Sequence, residues 1–116
     1  MKTCEINERN EPGERQIKSL DKLLSKVPLD EDLKTKAELF KALSEPTRIK
    51  ILYLLQDGEL CACEIILALN KPQSTVSHHL NVLKTAGFID GRKDGLWIHY
   101  QLSDPQILTL LSKVTG

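Results

Sequence analysis

The sequence between residues 61 and 86 has the pattern of two helices separated by a short break. Apolar residues recur at helical spacing over residues 61–69 and again over 73–86, while Asn70, Lys71 and Pro72 interrupt both patterns. Gly87 follows the longer helix, where glycine favours a left-handed C-terminal cap. Two helices joined by a turn of about three residues have the spacing of a helix-turn-helix. The pattern therefore predicts this motif, with residues 73–86 as its recognition helix.

The residues after Gly87 change from helical to alternating apolar spacing, which is typical of strands. The alternation covers residues 88–91 and 96–102, and Arg92-Lys93-Asp94-Gly95 between them contains the Asp-Gly signal of a hairpin turn. A hairpin with a basic tip directly behind a recognition helix is a wing. The predicted fold class is therefore mainly α with a small β-hairpin, a winged helix-turn-helix.

Further helical patterns precede and follow this unit. Helices are predicted over residues 14–27 and 30–43, with Pro28 ending the first. A third, largely buried helix is expected to start with Ser44 as its cap and Pro46 in its first turn, and to close at residues 57–58. A last helix begins at residues 104–105. We predict a flexible N-terminal arm over residues 1–13 and one winged helix-turn-helix domain over 14–116.

The predicted recognition helix has one apolar and one polar face. Val76, Leu80, Leu83 and Gly87 recur at helical spacing and form the expected buried stripe, with His79 beside it as a packing residue. The opposite face carries short hydrogen-bonding side chains, which suit base edges in the major groove, and basic residues on either side suit phosphates. His99, on a predicted strand, is expected to be solvated or to pack on the wing. The predicted DNA-contacting residues are Lys71, Gln73, Ser74, Thr75, Ser77, His78, Asn81, Lys84, Arg92 and Lys93.

The bulk properties of the chain exclude several classes of protein. No apolar run is long enough to span a membrane and the N-terminus has no apolar signal segment, so we expect a cytoplasmic protein with no membrane partner. There is no glycine-rich phosphate loop, no His-Glu-x-x-His and no catalytic Ser/His/Asp order, so we do not expect an enzyme. The net charge is zero, and the DNA-binding prediction therefore depends on local pattern rather than on bulk attraction.

Four segments closely resemble the ArsR/SmtB family of metal-responsive repressors, and the resemblance covers roughly residues 33–102. It implies a homodimer held by the first and last helices, here residues 14–27 and 104–115, whose apolar faces agree with that role. It also implies a repressor that binds an operator palindrome in double-stranded DNA when unliganded and dissociates when an effector binds. The segments are Ala42-Leu43-Ser44-Glu45-Pro46-Thr47-Arg48, Glu59-Leu60-Cys61-Ala62-Cys63-Glu64, Ser74-Thr75-Val76-Ser77-His78-His79-Leu80 and Trp97-Ile98-His99-Tyr100.

Within that family, Cys61-Ala62-Cys63 resembles the thiolate motif of arsenic, lead and cadmium sensors. Soft thiolates select thiophilic ions, and three of them suit As(III), Sb(III) or Pb(II), while zinc usually takes a fourth ligand. Cys4 resembles an arm ligand of the CadC-like branch, which also binds Cd(II), although Glu8 stands where that branch has a second arm cysteine. The predicted metal ligands are therefore Cys4, Cys61 and Cys63, with the subunit that supplies Cys4 left open. The family's zinc site on the last helix is not expected, because Gln106 stands where histidine is needed.

Two cysteines at i and i+2 point about 200° apart on a regular helix and cannot share an ion there. We therefore expect Cys61 to lie at a non-helical start, so that ion binding distorts the helix that packs on the recognition helix. An alternative effector is oxidation, because cysteines this close form strained, labile disulfides, which would make the protein a thiol redox-sensing repressor of the same fold. A Cys-x-Cys metallochaperone is a further alternative, but it leaves the recognition face and the wing unexplained.

Overall fold

The computed structural model describes Arg9 and residues 13–115, which contain six α-helices and a three-stranded antiparallel sheet. The predicted fold class is confirmed. No helix among these residues is long and apolar enough to cross a membrane. The elements in chain order are α1 (Glu14–Leu24), α2 (Asp30–Ala42), α3 (Pro46–Leu54), β1 (Leu60–Cys61), α4 (Ala62–Leu69), α5 (Gln73–Thr85), β2 (Ile89–Asp94), β3 (Trp97–Leu102) and α6 (Gln106–Thr115).

The chain divides into two compact units, residues 1–35 and 36–116. The first contains α1, which ends at Leu24 rather than at the predicted residue 27. The hydroxyl of Ser25 donates to the carbonyl oxygen of Lys22 (2.6 Å), and the following backbone N–H groups bond three residues back, which tightens the chain before Pro28. No residue of α1 is buried, so its apolar side chains are exposed.

The start of α3 differs from the prediction by one residue. The cap is Glu45, whose carboxylate accepts from the backbone N–H of Arg48 (3.1 Å), and Pro46 is the first helical residue. Ser44 lies one position too early for this role. Its hydroxyl instead donates to the carbonyl oxygen of Lys41 at the end of α2 (2.6 Å).

The caps of α4 and α5 build the tight turn between them. Asn70 ends α4 in the left-handed conformation (φ 51°, ψ 45°), and Pro72 precedes α5. At the other end of α5, Gly87 is also left-handed (φ 87°), as predicted. The backbone N–H of Gly87 donates to the carbonyl oxygen of Lys84, and the backbone N–H of Phe88 donates to the carbonyl oxygen of Leu83, both at 3.0 Å. This pair of hydrogen bonds is the Schellman motif.

The sheet has the strand order β1-β3-β2, and its wing hairpin differs from the prediction in where it turns. Asp94 pairs with Trp97, so the loop contains only Gly95 and Leu96. Gly95 has φ 65°, which suits the first position of a two-residue II′ loop. Arg92, Lys93 and Asp94 consequently lie within β2 and not in the turn.

The hydrophobic core lies in the second unit, between α3, α4, α5 and the wing. Its largest fully buried side chains include Ile51, Leu52, Ile65, Leu83 and Ile89. The wing adds Tyr100, whose ring lies so close to the backbone of β2 that a Cβ at Gly91 would be 3.2 Å from its Cε1 atom. The core therefore orients α5 and the wing together.

Candidate nucleic-acid interface and cysteine pair

The polar face of α5 is exposed and does not pack into the core. Val76, His79, Leu80 and Leu83 are its buried residues, which confirms the predicted buried stripe except at Gly87. Gly87 lies beyond the end of the helix and is exposed. The six predicted base-reading residues on this helix are all exposed: Gln73, Ser74, Thr75, Ser77, His78 and Asn81. Hydroxyl, amide and imidazole groups on one exposed helix face match the donors and acceptors of base edges.

The four basic residues predicted to contact phosphates are also exposed, but they differ in their partners. Lys71 lies just before α5, and Lys84 lies near its C-terminal end. Arg92 and Lys93 are neighbours on β2, so they lie on opposite faces of the wing. The Arg92 guanidinium forms an ion pair with the carboxylate of Glu59, which precedes β1. This pairing lowers the pKa of Glu59 below its usual range, chiefly through the hydrogen bond from Arg92.

A polar cluster joins the start of α3 to α5. Arg48 donates from Nε to the carbonyl oxygen of Ala42 (2.6 Å), and its Nη1 lies 3.3 Å from Nδ1 of His79. Because a guanidinium only donates, Nδ1 accepts and the proton of the neutral ring is on Nε2, 3.8 Å from the Glu45 carboxylate. Burial lowers the pKa of His79, because it disfavours the charged ring. The prediction that His79 is a hydrogen-bonded packing residue is confirmed, and the cluster fixes the recognition helix relative to α3.

Cys61 and Cys63 converge at the N-terminus of α4. Cys61 is the N-cap residue, with extended backbone (φ −69°, ψ 149°), so the expectation of a non-helical start is confirmed. The two sulfurs are 2.8 Å apart and unbonded, with Cys61 buried and Cys63 exposed. The hydrogen bond to the Cys61 sulfur raises the pKa of Cys63, because it stabilises the thiol. The Glu64 carboxylate accepts from the backbone N–H of Cys61 (2.9 Å) and holds the cap in place.

The pair presents two soft donors toward one point, which is the chemistry that a thiophilic ion requires. Within residues 13–115, no group of three histidine, cysteine, aspartate or glutamate side chains is placed to hold a metal ion. The third predicted ligand, Cys4, lies outside the described residues, and so does Glu8. Just before the last helix, the Asp104 carboxylate accepts from the backbone N–H of Gln106 (2.9 Å), the first residue of α6.

Sequence reasoning missed β1 and the contacts that it brings together. Leu60 pairs with Tyr100 and Cys61 with His99, so the cysteine motif forms the third strand of the wing sheet. His99 is half-buried, with Nδ1 3.4 Å from the carboxylate of Glu59, which agrees with the predicted wing-packing role. A strand of two residues has no detectable period, and these partners are about 40 residues apart, so no local signal identifies them.

Comparison with known proteins places this geometry in a family. The sequence model of one protein family, described as bacterial regulatory protein, arsR family, matches residues 45–90, from the cap of α3 into the wing. An uncharacterized HTH-type transcriptional regulator from Methanocaldococcus jannaschii is 48% identical over 79 residues, which are 67% of this chain and 89% of that protein.

Two further relatives have names that refer to resistance. A cadmium resistance transcriptional regulatory protein CadC homolog from Staphylococcus aureus and the arsenical resistance operon repressor of Escherichia coli are each 42% identical over 78 residues, or 66% of this chain. The matched part spans 64% and 66% of their lengths.

Among solved structures, the homodimeric winged helix-turn-helix DNA-binding domain of a possible ArsR-family transcriptional regulator from Mycobacterium bovis superposes with a TM-score of 0.68. It is 28% identical and covers 76% of this chain and 87% of that one. The relatives are transcriptional regulators and not enzymes, as the sequence predicted. The chain therefore belongs to the arsR family of regulatory proteins and carries that family's winged helix-turn-helix DNA-binding domain.

Proposed function

We propose that this protein is a repressor that binds an operator palindrome when unliganded and dissociates when it binds a thiophilic ion such as As(III), Sb(III), Pb(II) or Cd(II). The observation that carries the proposal is the position of the Cys61–Cys63 sulfur pair, 2.8 Å apart at the start of α4. Because α4 packs on α5, a change at this helix start reaches the DNA-reading helix directly. The names of the Staphylococcus and Escherichia relatives, which refer to cadmium and arsenic, agree with this chemistry.

The proposed ion site contains Cys61 and Cys63, with Cys4 of the N-terminal arm as third ligand. Two thiolates alone leave a trivalent or divalent thiophilic ion under-coordinated, so a further soft donor is needed. To move a repressor from almost fully DNA-bound to almost fully free, the ion must bind the DNA-free state more tightly than the DNA-bound state by roughly 5.5 kcal/mol. Metal–thiolate bonds that form only in the released state supply energy on this scale.

The proposed functional unit is a homodimer in which residues 14–27 and 104–115 form the interface. In α1 the apolar residues Ile17, Leu20, Leu23 and Leu24 are all exposed, and in α6 so are Leu110 and Val114. Two exposed apolar helix faces in a chain of this size favour association with a second copy. The homodimeric Mycobacterium bovis domain agrees with this arrangement. The proposed DNA-contacting residues are the ten predicted from the sequence: Lys71, Gln73, Ser74, Thr75, Ser77, His78, Asn81, Lys84, Arg92 and Lys93.

The test is a titration of the reduced protein on its own upstream DNA at low salt, with operator binding followed by fluorescence anisotropy and ion binding by thiolate absorption. Arsenite, Pb(II) or Cd(II) should release the DNA. Cys61→Ser, Cys63→Ser and Cys4→Ser should each retain DNA binding but lose the response, while Ala68→Ser, an exposed position of α4, should keep both. Failure of the ion-free wild type to bind this DNA would contradict the proposal.

A second candidate function is a thiol redox switch, favoured by two free sulfurs 2.8 Å apart of which one is exposed. Oxidation of both thiols by peroxide would form a disulfide, with the peroxide reduced to water. This function predicts that peroxide releases the operator and that dithiothreitol restores binding. Release by ions but not by peroxide assigns the pair to metal sensing.

A further inference from the structure

The short strand β1 places the cysteine pair and the wing in one sheet. Cys61 pairs with His99 on β3, and His99 pairs with Arg92 on β2. Residues directly opposite one another in antiparallel strands lie on the same face, with their Cβ atoms about 5 Å apart. Cys61, His99 and Arg92 therefore form one row across the three strands.

The Glu59 carboxylate ties this row together from the segment that leads into β1. It pairs with the Arg92 guanidinium, with Nε 3.4 Å from Oε2, and its Oε1 is 3.4 Å from Nδ1 of His99. Glu59 is two residues before Cys61 in the chain, whereas Arg92 is 33 residues after Glu59. The same short segment thus holds the buried cysteine and the basic side chain of the wing.

We infer that Glu59 is the positioning residue that transmits ion binding at Cys61 to the wing through Arg92. This inference rests on the proposed function and identifies how the proposed site acts on DNA. This route to the wing is separate from the contact between α4 and α5, because it runs through β1, on the N-terminal side of the cysteine motif, and not through α4.

The geometry of the sulfur pair explains why β1 would move. Cys61 is buried and Cys63 is exposed, and the third ligand of the proposed site comes from outside this pair. An ion bound by both sulfurs must therefore draw the Cys61 sulfur toward the surface, and β1 with it. The strand that carries Cys61 is two residues long and is the weakest element of the sheet. Displacement of β1 displaces Glu59, and Arg92 then loses the partner that orients it.

The test compares Glu59→Gln with Asp57→Asn, which removes an exposed carboxylate from the same segment. For each variant, the measured quantity is the ratio of operator affinities without and with the ion, beside an independent ion titration by thiolate absorption. One exposed ion pair in each of two subunits corresponds to roughly a 2- to 30-fold change in an equilibrium constant. We expect the ratio to fall by this factor in Glu59→Gln and to be unchanged in Asp57→Asn, and both variants should still bind the ion in the thiolate-absorption titration.

A double-mutant cycle and a DNA-free measurement complete the test. Arg92→Gln should reduce the ratio as Glu59→Gln does, and the double variant should reduce it no further. Lys93→Gln should weaken operator binding and leave the ratio intact. In hydrogen exchange without DNA, ion binding should change the protection of β2 and β3 in the wild type but not in Glu59→Gln.

Equal ratios in wild type and Glu59→Gln, with unaltered wing exchange, would overturn the inference and leave the proposed function standing. If the ion fails to release the wild type, the proposed function fails, and this inference fails with it.

Discussion

Replacing Leu83 by alanine tests which face of α5 is available to DNA. The Leu83 side chain is fully buried (0% exposed) in the core that α3, α4, α5 and the wing share, whereas Leu67 on α4 is 82% exposed. Truncation of a fully buried leucine costs about 3–5 kcal/mol, because it removes apolar contact and leaves a cavity. An exposed leucine changes stability by no more than about 0.5 kcal/mol on the same truncation. Leu83→Ala and Leu67→Ala are thus a matched pair.

The assay is urea unfolding followed by far-UV circular dichroism, at one fixed protein concentration because a dimer's stability depends on it. With a slope of about 1–3 kcal/mol/M, Leu83→Ala should lower the midpoint by roughly 1–5 M, and Leu67→Ala should leave it nearly unchanged. Similar small shifts in both variants would refute the reasoning. They would mean that the stripe of α5 that carries Leu83 is not the buried face, and the assignment of the serine- and threonine-bearing face to DNA would fail with it.

Three further predictions follow from single features of the structure. Because burial lowers the pKa of His79 from its ordinary value of 6.5, its contribution to stability should be full above pH 6.5 and decline as pH falls through the lower folded pKa. The difference between the thermal midpoints at pH 7.5 and pH 5.5 should therefore be larger in the wild type than in His79→Gln. Equal differences in the two proteins would contradict the assignment. Lys84→Gln should reduce the slope of log affinity against log salt by about 1.8 per dimer, one phosphate contact per subunit, while Lys50→Gln at an exposed position of α3 should not change it. Gly87→Ala places a side chain at φ 87° with no atom within 4 Å of its Cβ, so conformational strain alone should cost about 1–2 kcal/mol in urea unfolding, against no more than about 0.5 kcal/mol for Gly13→Ala at φ −69°.

The helix-turn-helix and the wing were predictable because both have strong local signals. The apolar period of residues 61–86, the break at Asn70 and the glycine at 87 identified α4, the turn and α5 to within a residue or so. The convergence of Cys61 and Cys63 also followed, because only a non-helical Cys61 allows it.

The features that sequence reasoning missed have different physical causes. The cap of α3 is Glu45 and not Ser44, since the proline at 46 fixes where the helix starts and leaves Ser44 one residue too early. The hairpin turns at Gly95 and Leu96 because pairing with β3 extends β2 through Asp94. The ion pair between Glu59 and Arg92 depends on the third strand, which has too few residues to be seen in a pattern. Only the last of these is decided by residues that are distant in sequence.

The contact between Gly91 and the ring of Tyr100 makes position 91 of β2 less tolerant of a larger residue than its neighbours are. A methyl group at position 91 would lie 3.2 Å from the ring of Tyr100, so the ring would have to shift by a few tenths of an ångström within the core to admit it. Its neighbours Asp90 and Arg92 point away from that ring and are exposed, so substitutions there meet no such barrier. The outward positions of β2 can therefore change without disturbing the core, while glycine at position 91 leaves room for the ring that holds the hairpin on the domain.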